Sequence, residues 1–232
     1  MLTYKLFVAG VLVSLVAGGT SHAQTCKGPG TVRWPIKTSL PQGTNLSGPA
    51  QVIALDKLLA LASAPGVKDD DPQYQEARIP KFDNPLGVKE GDLVTTAGWV
   101  YLVATGEDDC DYYIQISLQP RTTTDKPQAS DDSIIVEAPR PDFISASELS
   151  AKVGEEREFI KTKLLAGKEP SNYGSVMQNP VCVRVTGQLF YDDAHLEKGE
   201  LRGKRGMTSH TLWELHPITA LTFAPKSACP GT

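Results

Sequence analysis

Residues 93–103 read Leu93-Val94-Thr95-Thr96-Ala97-Gly98-Trp99-Val100-Tyr101-Leu102-Val103. This run is rich in β-branched and aromatic residues, which favour strands, and the glycine at its centre predicts a bulge or a sharp bend at Gly98. The next segment, residues 112–118, alternates strictly between apolar and other residues, which is typical of a strand with one buried face. The apolar face carries Tyr112, Ile114, Ile116 and Leu118. Two consecutive strands, the first of them bent, therefore begin the domain.

Three further strands and one helix follow along the chain. Residues 133–137 predict a short third strand. Residues 146–166 predict a helix that ends at Gly167, because apolar residues recur there at helical spacing. Residues 181–191 and 211–223 again have the composition and period of strands. The predicted order is three strands, a helix and two strands.

This order, with a glycine-bent first strand, is that of the OB-fold, a five-stranded partly open barrel. We therefore expect a mainly β protein with one internal helix, forming an OB-like barrel over residues 91–224. The competing architectures are a small two-layer α+β sheet and a β-sandwich, and the single internal helix and only five strands disfavour the sandwich. Residues 24–90 predict an N-terminal arm with a short helix between Val52 and Ala62, and residues 225–232 a C-terminal tail.

The first 23 residues have the pattern of a secretory signal peptide. Lys5 precedes an apolar run of about 12 residues, and the small-residue site Ser21-His22-Ala23 follows it. The run is shorter than the roughly 20 residues that a spanning helix needs, so we expect no membrane span and a periplasmic or secreted protein. The 232-residue chain has 23 Lys+Arg against 27 Asp+Glu. This balance argues against a general nucleic-acid coat.

Four cysteines follow the predicted signal peptide, an even number that indicates disulfides in an exported chain. In an OB-like barrel the first and fourth strands are antiparallel neighbours. The start of the fourth strand, at Cys182, is then expected near the end of the first, just before Cys110. This topology predicts the pair Cys110–Cys182, with Cys26–Cys229 tying the arm to the tail.

A family resemblance rests on four segments, residues 109–116, 134–139, 185–195 and 213–221. Together they resemble a group of small exported bacterial proteins of unknown function. In that group a hairpin with an acidic turn, a strand ending in Glu-x-Pro, a Phe-Asp-x-x-His turn and a closing Glu-Leu-His-Pro strand recur in this order. This chain departs from the pattern with Tyr191 before Asp192 and with Tyr113 where a histidine is common. The resemblance covers roughly residues 91–223, implies the barrel and export, and carries over no catalytic residue.

Acidic and imidazole side chains meet in the predicted barrel. The strand period places Glu214 and His216 on one face of the last strand, together with Leu212 and Ile218. Asp192 and His195 lie in the turn that leaves the neighbouring fourth strand, and Glu137 ends the third strand and is expected to join them. One hypothesis is a divalent metal site formed by Asp192, His195, Glu214 and His216. The alternative needs no cofactor: these side chains make hydrogen bonds that close the barrel.

The loop between the last two strands is cationic and glycine-rich. Its basic residues are Lys198, Arg202, Lys204 and Arg205. In OB-folds this loop flanks the ligand face, so Trp99, Tyr101 and Tyr113 are candidate stacking platforms for an anionic polymer, either an oligonucleotide or a glycan. The alternative is a solvated surface loop.

Two functional hypotheses follow. The first is an exported, non-catalytic binding or assembly module that presents its barrel face to an unknown ligand or protein partner. The second is a metal-dependent hydrolase, such as a phosphodiesterase, using the Asp/His/Glu site. The sequence contains no nucleophile elbow, Walker loop, dinucleotide fingerprint or His-Glu-x-x-His helix, which lowers the expectation of an enzyme.

Overall fold

A computed structural model describes residues 26, 28–30, 32–106, 108–128, 131–195 and 202–231. The predicted signal peptide, residues 1–23, and Lys198 of the predicted cationic loop lie outside these residues. The backbone of His195 is described, but its side chain is not. Within the described ranges, no helix has the length and apolar character needed to cross a membrane.

The protein is mainly β with few helices, as the sequence predicts. The strands are β1 (Gln51–Val52), β2 (Leu93–Thr105), β3 (Tyr112–Ser117), β4 (Ser133–Ala138), β5 (Ser175–Tyr191) and β6 (Trp213–Phe223). The α-helices are α1 (Trp34–Lys37), α2 (Leu55–Leu59) and α3 (Ser147–Phe159), the last continuing as a wider turn over Ile160–Leu164. The predicted helix between Val52 and Ala62 is shorter than expected, because the Ile53 amide donates to the Thr95 carbonyl and holds that stretch beside β2.

Five of the six strands form a ring of hydrogen-bonded neighbours. β2 pairs antiparallel with β3, and β3 pairs antiparallel with β4. β4 pairs parallel with β6, which pairs antiparallel with β5. β5 then pairs antiparallel with β2 and closes the ring. The short β1 lies parallel to the start of β2, ahead of the residues that β3 covers.

The interior of the ring is apolar. Alternate side chains of the strands point inward and are almost fully buried, among them Val100, Ile114, Val136, Leu189 and Leu215. The bulge in β2 falls between Val100 and Leu102, where the register shifts, and not at Gly98 as predicted. Gly98 instead leaves room for Leu55 of α2, since an added Cβ would lie 2.7 Å from a Leu55 methyl carbon.

The predicted cysteine pairing is wrong. The disulfides are Cys26–Cys110 and Cys182–Cys229. β5 begins at Ser175, six residues earlier than predicted. Cys182 therefore lies within β5, opposite Trp99 in the middle of β2. It is not near Cys110, which follows the end of β2. The first disulfide therefore ties the arm to the β2–β3 loop, and the second ties the tail to β5.

The N-terminal arm packs on the outside of the ring through one buried arginine. The guanidinium of Arg33 is fully buried and donates to both carboxylate oxygens of Glu90, each at 2.8 Å. It also donates to backbone carbonyls of the arm and of Tyr191 in β5. Because a buried charge is tolerated only when it is paired, these contacts fix the arm to the strand. They also place α1 over the outer face of the ring.

Candidate functional site

The outer face of the ring is polar where β3, β4 and β6 meet. Since side chains alternate along a strand, the neighbours of the inward-facing apolar residues point outward. The outward residues are Tyr113 and Gln115 of β3, Ile135 and Glu137 of β4, and Glu214 and His216 of β6. The prediction that Glu214 and His216 share a face is consistent with this arrangement. Ile218, predicted on the same face, lies in the core instead, because the pairing of β5 and β6 shifts register beside it.

This outer face is covered, although it is polar. Glu214 and His216 are 1% and 0% exposed. The amide of Gln188 in β5 donates to the carbonyls of Ile36 in α1 and of His216, which joins the arm to the strands. The side chain of Arg202, from the β5–β6 loop, is also buried and approaches the same face. The polar groups are therefore held between the sheet, the arm and this loop.

Two carboxylates from different elements converge on His216. Its Nδ1 lies 2.9 Å from Glu137 Oε2, and its Nε2 lies 3.4 Å from Asp111 Oδ2. Donor atoms of Asp111, Glu137 and His216 lie within 4.8 Å of one another. Neither contact is aligned as a hydrogen bond, and neither carboxylate oxygen of Asp111 makes one to any described group, although the residue is only 2% exposed.

The buried charges shift the pKa values of these groups. Burial raises the pKa of Asp111, and the nearby imidazole only partly opposes this. Burial also disfavours ionisation of Glu137, but His216 and Lys37 more than offset it and lower the pKa. For His216, burial by itself lowers the pKa, and contact with the two carboxylates raises it above its usual value. Negative charge thus dominates around the imidazole.

The predicted metal set is brought together only in part. Arg202 contacts Asp192 at 3.1 Å and also contacts Glu214, so a guanidinium occupies the space between these carboxylates. His216 belongs to the converging group, and Glu214 lies 3.7 Å from its Nδ1. The side chain of His195 lies outside the described residues. Asp192 and Glu214 both contact Arg202, so a guanidinium stands where the predicted ion would bridge these two carboxylates, and a shared site with His195 stays a prediction.

A cleft of about 590 Å³ opens beside Asp111 and Glu137. It lies between the β2–β3 loop and the β5–β6 loop, on the face of β3 and β4. Its lining residues are Lys37, Thr105, Gly106, Asp108, Asp109, Asp111, Tyr113, Ile135, Glu137, Asp192, Arg202, Gly203 and Lys204. Five carboxylates and three cations among these residues give the cleft an acidic balance.

The residues predicted to bind a polymer do not share one surface. Trp99 is buried beside the Cys182–Cys229 disulfide, and its indole nitrogen donates to the Pro230 carbonyl at 2.7 Å. Tyr101 is also buried and donates to the Arg205 carbonyl. Tyr113 and Lys204 line the cleft, whereas Arg205 is exposed outside it. A base or sugar ring therefore has no route to stack on Trp99 in this arrangement.

Asp111 was not among the sequence-predicted site residues. It lies in the turn before β3, directly after Cys110, where strand periodicity gives no signal. The Cys26–Cys110 disulfide and the left-handed backbone of Cys110, with φ of 58°, place it beside the strand ends. Glu137 was expected to join the group, and in the structure it does.

Comparison with known proteins found no family model, no curated protein and no solved structure that matches the chain.

Proposed function

We propose that the five-strand ring is an OB-like barrel and that the protein is an exported binding module. The order of pairing supports the barrel. β2, the first strand of the ring, pairs with the second and fourth strands, β3 and β5. The third strand, β4, is parallel to the fifth, β6. In OB-folds the ligand face lies between the first hairpin loop and the loop joining the last two strands. The cleft occupies the corresponding position.

The ligand that the geometry favours is a divalent cation held by Asp111, Glu137 and His216. The observation that carries this proposal is the convergence of their donor atoms within 4.8 Å, with both Asp111 oxygens buried and lacking a hydrogen bond to any described group. Burial of a carboxylate without a partner is costly. A cation at this point would give Asp111 a charged partner in addition to its contact with His216 and would offset the acidic balance of the cleft.

The donor set indicates the kind of ion. Imidazole nitrogen suits Zn²⁺ and other transition metals, whereas Mg²⁺ and Ca²⁺ prefer oxygen alone. Protein ligands lie about 2.0–2.2 Å from Zn²⁺, so donors within 4.8 Å of one another need only small side-chain rotations to share it. We therefore expect Zn²⁺ to bind and Mg²⁺ to compete poorly.

Export is proposed from two features. The segment Lys5 to Ala23 has the signal-peptide pattern. The two disulfides fit a protein that folds in an oxidising compartment, where such bonds persist. Both are consistent with a periplasmic or secreted protein.

Calorimetric titration of the purified, disulfide-bonded protein with Zn²⁺ tests the cation site. We expect saturable one-to-one binding, weakened about tenfold or more, or about 1.4 kcal/mol, by Asp111→Asn and by Glu137→Gln. Asp142→Asn is the matched control, since this exposed carboxylate lies outside the cleft and contacts Arg140. Absence of Zn²⁺ binding, or equal binding by Asp111→Asn and the control, would contradict the proposal.

A metal-dependent hydrolase is the second candidate. It is favoured by one observation: Asp111 and Glu137 line the cleft, so an ion bound to them would keep coordination positions open toward it. Three protein ligands with an open position are typical of catalytic zinc, which lowers the pKa of bound water. Zinc-dependent hydrolysis of bis(p-nitrophenyl) phosphate that disappears in Glu137→Gln would establish this candidate, and its absence would leave the binding module.

A further inference from the structure

The cleft carries cations as well as the proposed metal ligands. Lys37, Arg202 and Lys204 line it together with Asp111 and Glu137. His216 is not part of the lining and lies behind the two carboxylates. An ion held by Asp111 and Glu137 would therefore face the cleft that these three cations line.

Lys204 is held at the cleft by its surroundings. Its backbone amide donates to the Gln115 side chain at 2.8 Å, and its ammonium group donates to the Asn172 carbonyl at 3.1 Å. The ammonium nitrogen also lies 5.7 Å from the centre of the Tyr113 ring. The lysine is thus positioned by the fold, with its charge beside an aromatic wall of the cleft.

The other groups complete a mixed lining. Burial by itself lowers the pKa of Lys37, but Asp192 and the other nearby carboxylates raise it, so the ammonium stays charged. Tyr113 adds a phenol to the lining. Ile135 adds an apolar surface.

The charge balance decides what can enter. Without an ion, five carboxylates outweigh three cations, and an anion would be repelled. A divalent ion would neutralise the excess and add two positive charges to the cleft that Lys37 and Lys204 line. A bound metal ion is often the largest local charge in a site and inverts its electrostatics. Metal loading would therefore convert an acidic cleft into one that accepts an anion.

We propose that the metal-loaded cleft binds a small phosphate or phosphate monoester, with phosphoryl oxygens on the ion and near Lys204 and Lys37. This inference rests on the cation site proposed above. A phosphate dianion offers three terminal oxygens, which suits an ion flanked by two ammonium groups. The volume of about 590 Å³ is that of a small-molecule site, and Tyr113 and Ile135 can contact an organic substituent.

Calorimetry with phenyl phosphate as the probe tests the inference. The protein is first loaded with one equivalent of Zn²⁺, confirmed by elemental analysis, and is titrated in parallel with the metal-free protein. We expect binding to the loaded protein and at least about tenfold weaker binding to the metal-free protein. Inorganic phosphate in a second titration distinguishes a free anion from an ester, since contacts with Tyr113 and Ile135 would favour the ester.

Two variants distinguish binding in the cleft from the general effect of removing a positive charge. Lys204→Met should weaken phenyl phosphate binding about tenfold while Zn²⁺ binding is retained. Arg205→Gln, an exposed cation of the same loop outside the cleft, should leave both unchanged.

The outcomes distinguish the two proposals. Zn²⁺ binding without phenyl phosphate binding would overturn this inference and leave the cation site intact. Equal phenyl phosphate binding with and without Zn²⁺ would overturn the metal-dependent anion site, as would equal weakening by Lys204→Met and Arg205→Gln. Failure of Zn²⁺ to bind would overturn both.

Discussion

The inside and the outside of the ring are both buried, but their chemistry is opposite. Inside, residues such as Ile114, Val136 and Leu189 pack against one another in one apolar cluster. Outside, Asp111, Glu214 and His216 are as inaccessible to solvent, under the arm and the β5–β6 loop. Replacing buried ionic groups with apolar ones is often neutral or stabilising. The outer face therefore does not optimise stability, which is expected of a site that serves a ligand.

The largest effect should come from the cation that compensates the outer face. Arg202→Met removes the guanidinium that contacts both Asp192 and Glu214 and leaves charged groups buried. We expect a loss of about 3–5 kcal/mol in the free energy of unfolding, measured in urea. Arg205→Met, at an exposed neighbour, is the control. Equal stability of the two variants would mean that the outer face does not depend on Arg202.

A cavity inside the ring should cost nearly as much, by a different mechanism. Leu189→Ala removes a fully buried side chain from the core, opposite Leu215 of β6. We expect a loss of about 2–5 kcal/mol, largely independent of salt and of Zn²⁺. A small loss of stability that depends on Zn²⁺ would show that the inner and outer faces of the ring are energetically coupled.

Asp111, the proposed metal ligand, should behave in the opposite way to the core. In the absence of metal, Asp111→Asn should change the free energy of unfolding by less than about 1 kcal/mol, because the carboxylate has no hydrogen bond that is lost. Its thermal stabilisation by Zn²⁺ should disappear. Melting curves with and without Zn²⁺ measure both effects, and a large loss of stability in the metal-free variant would assign Asp111 a structural role.

The smallest effect concerns a buried acid on α3, away from both faces. Burial raises the pKa of Glu156 to about 7, although its carboxylate accepts a hydrogen bond from the Leu221 backbone. Because this folded-state pKa lies above the unfolded value, the contribution of Glu156 to stability is present at low pH and is lost as the pH rises toward and through 7. Glu156→Gln should therefore lessen the decline in stability between pH 5 and pH 8. Parallel pH series of unfolding measure this, and identical slopes for both proteins would refute it.

The strand order could be predicted because each strand of the ring carries its own periodic signal. Residues 112–118, for example, alternate strictly, and β3 begins at Tyr112 as predicted. The start of β5 could not be predicted, because Asn179 and Pro180 resemble a strand boundary although the pairing with β2 extends past them to Ser175. Because β5 starts earlier than predicted, Cys182 lies opposite Trp99 instead of near Cys110, and the predicted disulfides are wrong.

The site was predictable to the extent that strands form it. Glu214 and His216 share a face because of the strand period, and Glu137 follows from the neighbouring strand. Asp111 lies in a turn and Arg202 in a loop, and such segments have no sequence period. Their contacts with His216 and Glu214 of β6 depend on the tertiary structure. The role expected of Trp99 failed for a related reason: the sequence of β2 does not reveal that the tail folds back over its outer side.

The pairing of β2 with β5 has a consequence for how the molecule assembles. It joins residues as distant as Leu93 and Gln188, and the entropy of closing so long a loop must be lost before the contacts that reward it can form. Folding should accordingly be slow for the size of the chain. The donors of Asp111 and Glu137 cannot meet that of His216 until β6 has docked beside β4. An extended chain would therefore not hold the proposed ion, so metal loading would have to follow the docking of β6, in the compartment where folding is completed.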